Sequence, residues 1–93
     1  MTDNKTNRYH NGKIYAIRSN QTPDVYIGST CNTLTKRIYD HRAGFKSWRN
    51  GKHKYISSYK VIKYEDNYIE LVEEYKCETK MELLRREGQI MRE

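Results

Sequence analysis

The chain has 93 residues, a mass of 11.2 kDa and a hydrophobic share of 35%, which allows one domain with a small core. Its 18 Lys+Arg against 12 Asp+Glu leave a net charge of +6, a balance that favours polyanionic partners. No apolar run reaches the roughly 18 residues of a membrane span, and the polar start, Met1-Thr2-Asp3-Asn4-Lys5, is unlike a secretory signal.

Residues 1–11 read as a flexible polar leader, with the folded domain expected over residues 12–93. Lys13–Arg18 is rich in strand formers. Asn20–Asp24 has turn chemistry and Val25–Gly28 forms a second strand, so the simplest pairing is an antiparallel hairpin. Asn32 or Thr33 can cap a helix that runs to about Ala43, with Gly44 as its stop. On that helix Leu34, Ile38 and the stem of Arg42 share a stripe, and Arg37 and His41 lie one turn apart beside it. Residues 45–54 are polar, with Asn50 and Gly51 as breakers. A second helix is expected around Tyr55–Tyr64 and a third strand over Tyr68–Tyr75. Thr79-Lys80-Met81-Glu82 has capping-box spacing and opens a final helix.

That last helix carries Leu83, Leu84, Ile90 and Met91 as its apolar positions, with Glu87 between them. A carboxylate so placed points along the apolar face toward the sheet, where it needs a partner, a proton or a metal. The alternative is a helix rotated enough to expose it. Cys31 and Cys77 form neither a disulfide framework nor a zinc quartet, so an intracellular location, cytoplasmic or nuclear, is expected. An aromatic share of 12%, with nine tyrosines, argues against disorder.

Lys13-Ile14-Tyr15 followed by Tyr26-Ile27-Gly28, then Arg37, His41 and a late Glu87, resembles the ordered signature of the GIY-YIG nuclease domain. Each tyrosine alone is compatible with a sheet aromatic, and Arg37 with His41 with a solvated helix face; the ordered set points to catalysis. The resemblance implies an α/β (α+β) sandwich, a three-stranded antiparallel sheet flanked by helices. It also implies a metal-dependent endonuclease that hydrolyses DNA phosphodiester bonds. Such chemistry needs a nucleophilic water, an acid or metal at the leaving oxygen and positive charge over the phosphate. By resemblance Glu87 is the single ligand of Mg2+ or Mn2+, Arg37 holds the scissile phosphate, and Tyr15 and Tyr26 line the water's approach, one of them as base. His41 assists as base or orients the phosphate.

Three departures from the family pattern stand out. Lys13 replaces the first glycine, although Gly12 precedes it, and Ser29-Thr30 stands where some members carry a lysine. The sequence ends at Glu93 before the asparagine that usually follows the metal-binding glutamate. A catalytic fragment of a longer protein, with a further C-terminal domain, is therefore expected.

Between Lys36 and Lys54 seven cations (Lys36, Arg37, Arg42, Lys46, Arg49, Lys52 and Lys54) face only Asp40, which equals the whole net charge of +6. With Trp48 available to stack on a base, this segment reads as a DNA-backbone-tracking surface; a solvated loop is the plainer reading. The alternative function is a catalytically weak nucleic-acid-binding module of the same fold.

Overall fold

The computed structural model describes residues 7–92. Three strands, β1 (Lys13–Ser19), β2 (Thr22–Thr30) and β3 (Tyr68–Glu74), form one antiparallel sheet in the order β2-β1-β3. The central strand carries apolar residues on both faces because both faces are covered. Tyr15 and Ile17 pack with Ile38, Val61 and Ile62 on one side, whereas Ile14 packs with Cys77 and Leu83 on the other. The helices responsible are α1 (Leu34–Arg49) and α2 (Tyr59–Ile62) on the first side and α3 (Lys80–Met91) on the second. Ile14, Tyr15 and Ile17 are wholly buried, each contributing roughly 1.5–3 kcal/mol of apolar burial. The three-stranded sheet flanked by helices is thus the expected architecture.

The hairpin is tighter than its turn residues suggest. Asn20 and Gln21 alone connect the strands, and β2 begins at Thr22, opposite Ser19. Asp66 braces this corner by accepting hydrogen bonds from Ser19 Oγ (2.5 Å), the Asn20 amide (3.0 Å) and Gln21 Nε2 (3.1 Å). These bonds, led by that from Ser19, hold its carboxyl below the usual range. Pro23 is tolerated because β2 is an edge strand.

Helix α1 begins where expected, with Thr33 Oγ1 accepting the Lys36 amide at 3.2 Å, but it does not stop at Gly44. It continues to Arg49 and ends in a Schellman arrangement, in which the Gly51 amide donates to Trp48 O and the Lys52 amide to Ser47 O, both at 2.9 Å. Gly51, at φ +74°, supplies the left-handed residue that this ending requires. Gly44 serves packing instead: a Cβ there would stand 2.6 Å from the Tyr59 hydroxyl. The second helix is also shorter than expected. Asn67 Nδ2 donates to Ile62 O (2.9 Å) and Tyr64 O (2.6 Å), which satisfies the carbonyls at the end of α2 and stops it after a single turn.

Helix α3 starts with the expected capping box between Thr79 and Glu82. Its buried stripe is narrower than the pattern suggests: Leu83 is buried and Ile90 packs beside it, while Leu84 and Met91 are exposed. Of the leader expected over residues 1–11, residues 1–6 lie outside the described residues. Arg8–Asn11 forms a 3-10 helix, capped by Asn7 and tied to the segment before α3 by the Cys77 amide donating to Tyr9 O at 3.0 Å.

Candidate active site

Strand β1 delivers Tyr15 to the sheet face that α1 covers, and Arg37 and His41, one turn apart on α1, meet it there. Arg37 Nε–H donates to the Tyr15 hydroxyl at 3.0 Å. The hydroxyl oxygen therefore accepts on one side, and its own proton is free to donate to His41 Nε2, 2.8 Å away. With the phenol donating, the imidazole proton sits on Nδ1, where it donates to Ser58 Oγ at 2.8 Å. The result is a directed chain from Arg37 through Tyr15 and His41 to Ser58, with Tyr15, His41 and Ser58 all buried. Tyr26, on β2, packs edge-on to His41 with ring centroids 5.4 Å apart. Its hydroxyl has no hydrogen bond to a described residue.

Gly28 makes this approach possible. A Cβ at that position would lie 2.5 Å from the Tyr15 hydroxyl and 2.9 Å from Tyr26 Cε2. With Tyr15 fully buried, the ring has nowhere to retreat. The glycine of the second tripeptide is thus the gap into which the first tyrosine fits.

Glu87 is half-buried on α3, and its Oε1 accepts a hydrogen bond from Ser29 Oγ at 2.6 Å. This settles the orientation that the sequence left open: the carboxylate turns toward β2. Its charge reaches both phenols. Tyr15 is pushed up to about 12, first by burial, with Arg37 opposing and Tyr26 and Glu87 adding. Tyr26 is raised by burial and then by Glu87, against Arg37. His41 is lowered to about 4 by burial and by the neighbouring Arg37 guanidinium, with Asp40 opposing. At neutral pH the chain therefore holds a neutral phenol donating to a neutral imidazole.

This has a consequence for stability. The unfolded chain protonates His41 near pH 6.5, whereas the fold keeps it neutral down to about pH 4. The unfolded state thus binds more protons as pH falls through that window, and stability is lost with it. Discounted for solvent at the cleft, the expected loss between pH 7 and pH 5 is about 1 to 2 kcal/mol. Urea unfolding at the two pH values checks this, and His41→Gln should flatten the difference.

A cleft of about 230 Å³ opens over the cluster, lined by Tyr26, Arg37, Asp40, His41, His53 and Tyr59 among others. Among the described residues no three or more His, Cys, Asp and Glu side chains gather as a metal cage. Glu87 alone, with one oxygen bonded to a hydroxyl, suits a hard cation that takes few carboxylates and keeps most of its waters.

The structure brings Tyr15, Tyr26, Arg37 and His41 together and sets Glu87 beside them. The basic residues of α1 and its following loop are dispersed. Lys36 pairs with Asp40 at 2.7 Å. Arg42 donates to Asn67 Oδ1 (2.8 Å) and to Asn67 O (2.9 Å), which locks α1 to the start of β3. Lys46, Lys52 and Lys54 are exposed, and Arg49 lies over the Phe45 ring. Trp48 is half-buried in an aromatic cluster with Phe45, Tyr55 and Tyr59. Sequence reasoning missed Ser29 and Ser58, which hold Glu87 and His41. His53, in the loop after α1, lines the cleft as well.

A phenol, an imidazole and a guanidinium thus converge beside a carboxylate on a three-stranded α+β domain. The chain belongs to the GIY-YIG family: the model of the GIY-YIG catalytic domain matches residues 11–93. It therefore has a nuclease-type fold, in a family whose members are generally endonucleases acting on DNA. No curated protein and no solved structure matches the chain. No helix among the described residues is long and apolar enough to cross a membrane.

Proposed function

We propose that this domain is a metal-dependent endonuclease that hydrolyses DNA phosphodiester bonds, with Tyr15, Tyr26, Arg37, His41 and Glu87 as its catalytic residues. The observation that carries the reading is the directed chain Arg37–Tyr15–His41–Ser58 beside Glu87.

The phenol of Tyr15 is too weak an acid to be a standing base at neutral pH. It does not need to be one. His41, neutral and aligned through Nε2, accepts the phenolic proton as Tyr15 takes one from the attacking water, so that no free phenolate has to persist. Ser58 keeps Nδ1–H in place and with it the accepting tautomer. Tyr26 lines the cleft against His41 and orients the water. Arg37 engages Tyr15 through Nε and has its two terminal nitrogens left for the scissile phosphate, a planar fork suited to two oxygens. Glu87, steadied by Ser29, holds Mg2+ or Mn2+; when bound, the ion supplies Lewis-acid stabilisation of the leaving oxygen. The exposed Lys46, Lys52 and Lys54, with Lys36 and Arg49, track the backbone of the DNA, while Arg42 and Trp48 support that surface from within.

Nicking of supercoiled plasmid in Mg2+ tests the reading. Conversion to open circle that EDTA abolishes is the expected result. Salt-sensitive DNA binding with no conversion at any divalent-cation concentration would instead favour a nucleic-acid-binding module of the same fold.

A further inference from the structure

Arg8 and Lys80 stand outside the site described above, and the fold gathers them beside it. The 3-10 helix carries Arg8, the first turn of α3 carries Lys80, and α1 supplies Arg37. All three line a cleft of about 300 Å³, whose wall also includes Ser29 and Thr30 at the end of β2 and Asn32 just after it. Among the described residues no Asp or Glu lines this cleft. Arg8 lies over the Tyr9 ring at 5.4 Å, and neither it nor Lys80 forms an ion pair with a described residue. Glu78 is engaged with His10, Glu82 with the amides of the capping box, and Glu87 with Ser29.

Two features connect this cleft to the reacting centre. Arg37 lines both it and the Tyr26–His41 cleft. Ser29, in its wall, donates to Glu87. Three cations with hydroxyl and amide groups, and no carboxylate among the described lining residues, suit an oxyanion rather than a cation, while Tyr9, Leu83 and Leu84 give the cleft an apolar side. An anion seated there lies next to one seated at Arg37.

We propose that this cleft is a second phosphate subsite, which holds the phosphodiester adjacent to the scissile one on the same DNA strand, with Arg8 and Lys80 as its dedicated cations. The inference rests on the reading of the domain as a DNA-hydrolysing enzyme. It gives the strand a path: from the basic end of α1, over Arg37, to the corner where the 3-10 helix meets α3. The α1 segment alone would grip the strand on one side of the cut only.

Fluorescence anisotropy on a labelled DNA duplex, in EDTA and over a series of salt concentrations, tests the subsite with the full chain. One neutralised phosphate contributes about 0.9 to the slope of log K against log salt. Arg8→Gln/Lys80→Gln is expected to lower the slope by about that amount, and Arg8→Lys/Lys80→Arg to restore it. Lys63→Gln/Arg85→Gln removes two exposed cations that line neither cleft and should leave the slope unchanged. All four residues are exposed, and thermal melts should coincide with that of the parent. An unchanged slope in the cleft variant, an equal drop in the control pair, or no DNA binding by the parent would overturn the proposal. Plasmid nicking by the parent chain separates the two readings: nicking with an unchanged slope removes the subsite alone, whereas absent nicking removes the nuclease reading on its own evidence.

Discussion

Arg37→Ala is expected to slow plasmid nicking by about 10²- to 10³-fold, the usual cost of removing a preorganised group at developing negative charge. Arg37 does two things at once. Its Nε–H fixes the Tyr15 hydroxyl as an acceptor on one side, which directs the phenolic proton at His41. Its charge is also what opposes the upward push of burial on both phenols. Losing it leaves Tyr15 harder to deprotonate and the phosphate without its fork. Arg37→Lys restores charge but not planar geometry, so partial recovery is expected. Single-turnover rates at saturating enzyme separate this chemical loss from weaker binding. A reduction of less than about fivefold in Arg37→Ala would mean that the guanidinium is not at the reacting phosphate.

Tyr15→Phe is expected to cost about 10²- to 10⁴-fold in the same assay, the range for loss of a general base, and to exceed the loss from Tyr26→Phe. The two rings are neighbours, with centroids 6.3 Å apart, but only the Tyr15 hydroxyl belongs to the hydrogen-bonded chain. The Tyr15 variant leaves Arg37 Nε and His41 Nε2 without their shared partner, so a parallel melt is needed to subtract lost stability, expected at about 1–3 kcal/mol. Its pH–rate profile adds a second check. Because His41 is lowered to about 4, the parent should show no loss of rate from imidazolium formation between pH 5.5 and 8. A limb near pH 6.5 in the parent would contradict the lowered imidazole, and a larger loss in Tyr26→Phe would move the base from Tyr15 to Tyr26.

The features that the sequence made legible are local ones. The hairpin of β1 and β2 follows from strand formers around a turn, and the α3 start follows from capping-box spacing within four residues, Thr79 to Glu82. Tyr15 and Ile14, neighbours on β1, pack on opposite faces of the sheet, as the strand's period of two requires. The errors came from residues whose meaning is set by distant partners. Gly44 looked like a stop because glycine often ends helices, but its small size accommodates the Tyr59 ring, and the residue with positive φ is Gly51. Asp66 shortens the hairpin loop from 46 positions beyond Asn20. Asn67 ends α2 from beyond its last turn.

The candidate site divides in the same way. Its ordered residues are visible through the family pattern, and the fold brings Tyr15, Tyr26, Arg37 and His41 together. What the pattern could not carry is the support behind them. Ser58 lies 17 positions from His41, and Ser29 lies 58 from Glu87. A serine in a polar chain gives no sign of either bond. The rotation of α3 was undecidable from apolar spacing alone, since Leu84 and Met91 proved to be exposed; the Ser29 contact decides it. Trp48, which the sequence offers as able to stack on a base, packs with three aromatic neighbours that the sequence does not reveal.

The measurement that bears most directly on the account is the nicking rate of Glu87→Gln at saturating Mg2+, with DNA affinity measured in parallel. The substitution keeps the side-chain size and a carbonyl oxygen able to accept from Ser29, while it removes the charge that would hold a cation. The account predicts open-circle formation reduced to the level seen in EDTA, with affinity for duplex DNA retained. Nicking within a few-fold of the parent would contradict it, and would place the catalytic metal, or the catalysis itself, somewhere other than Glu87.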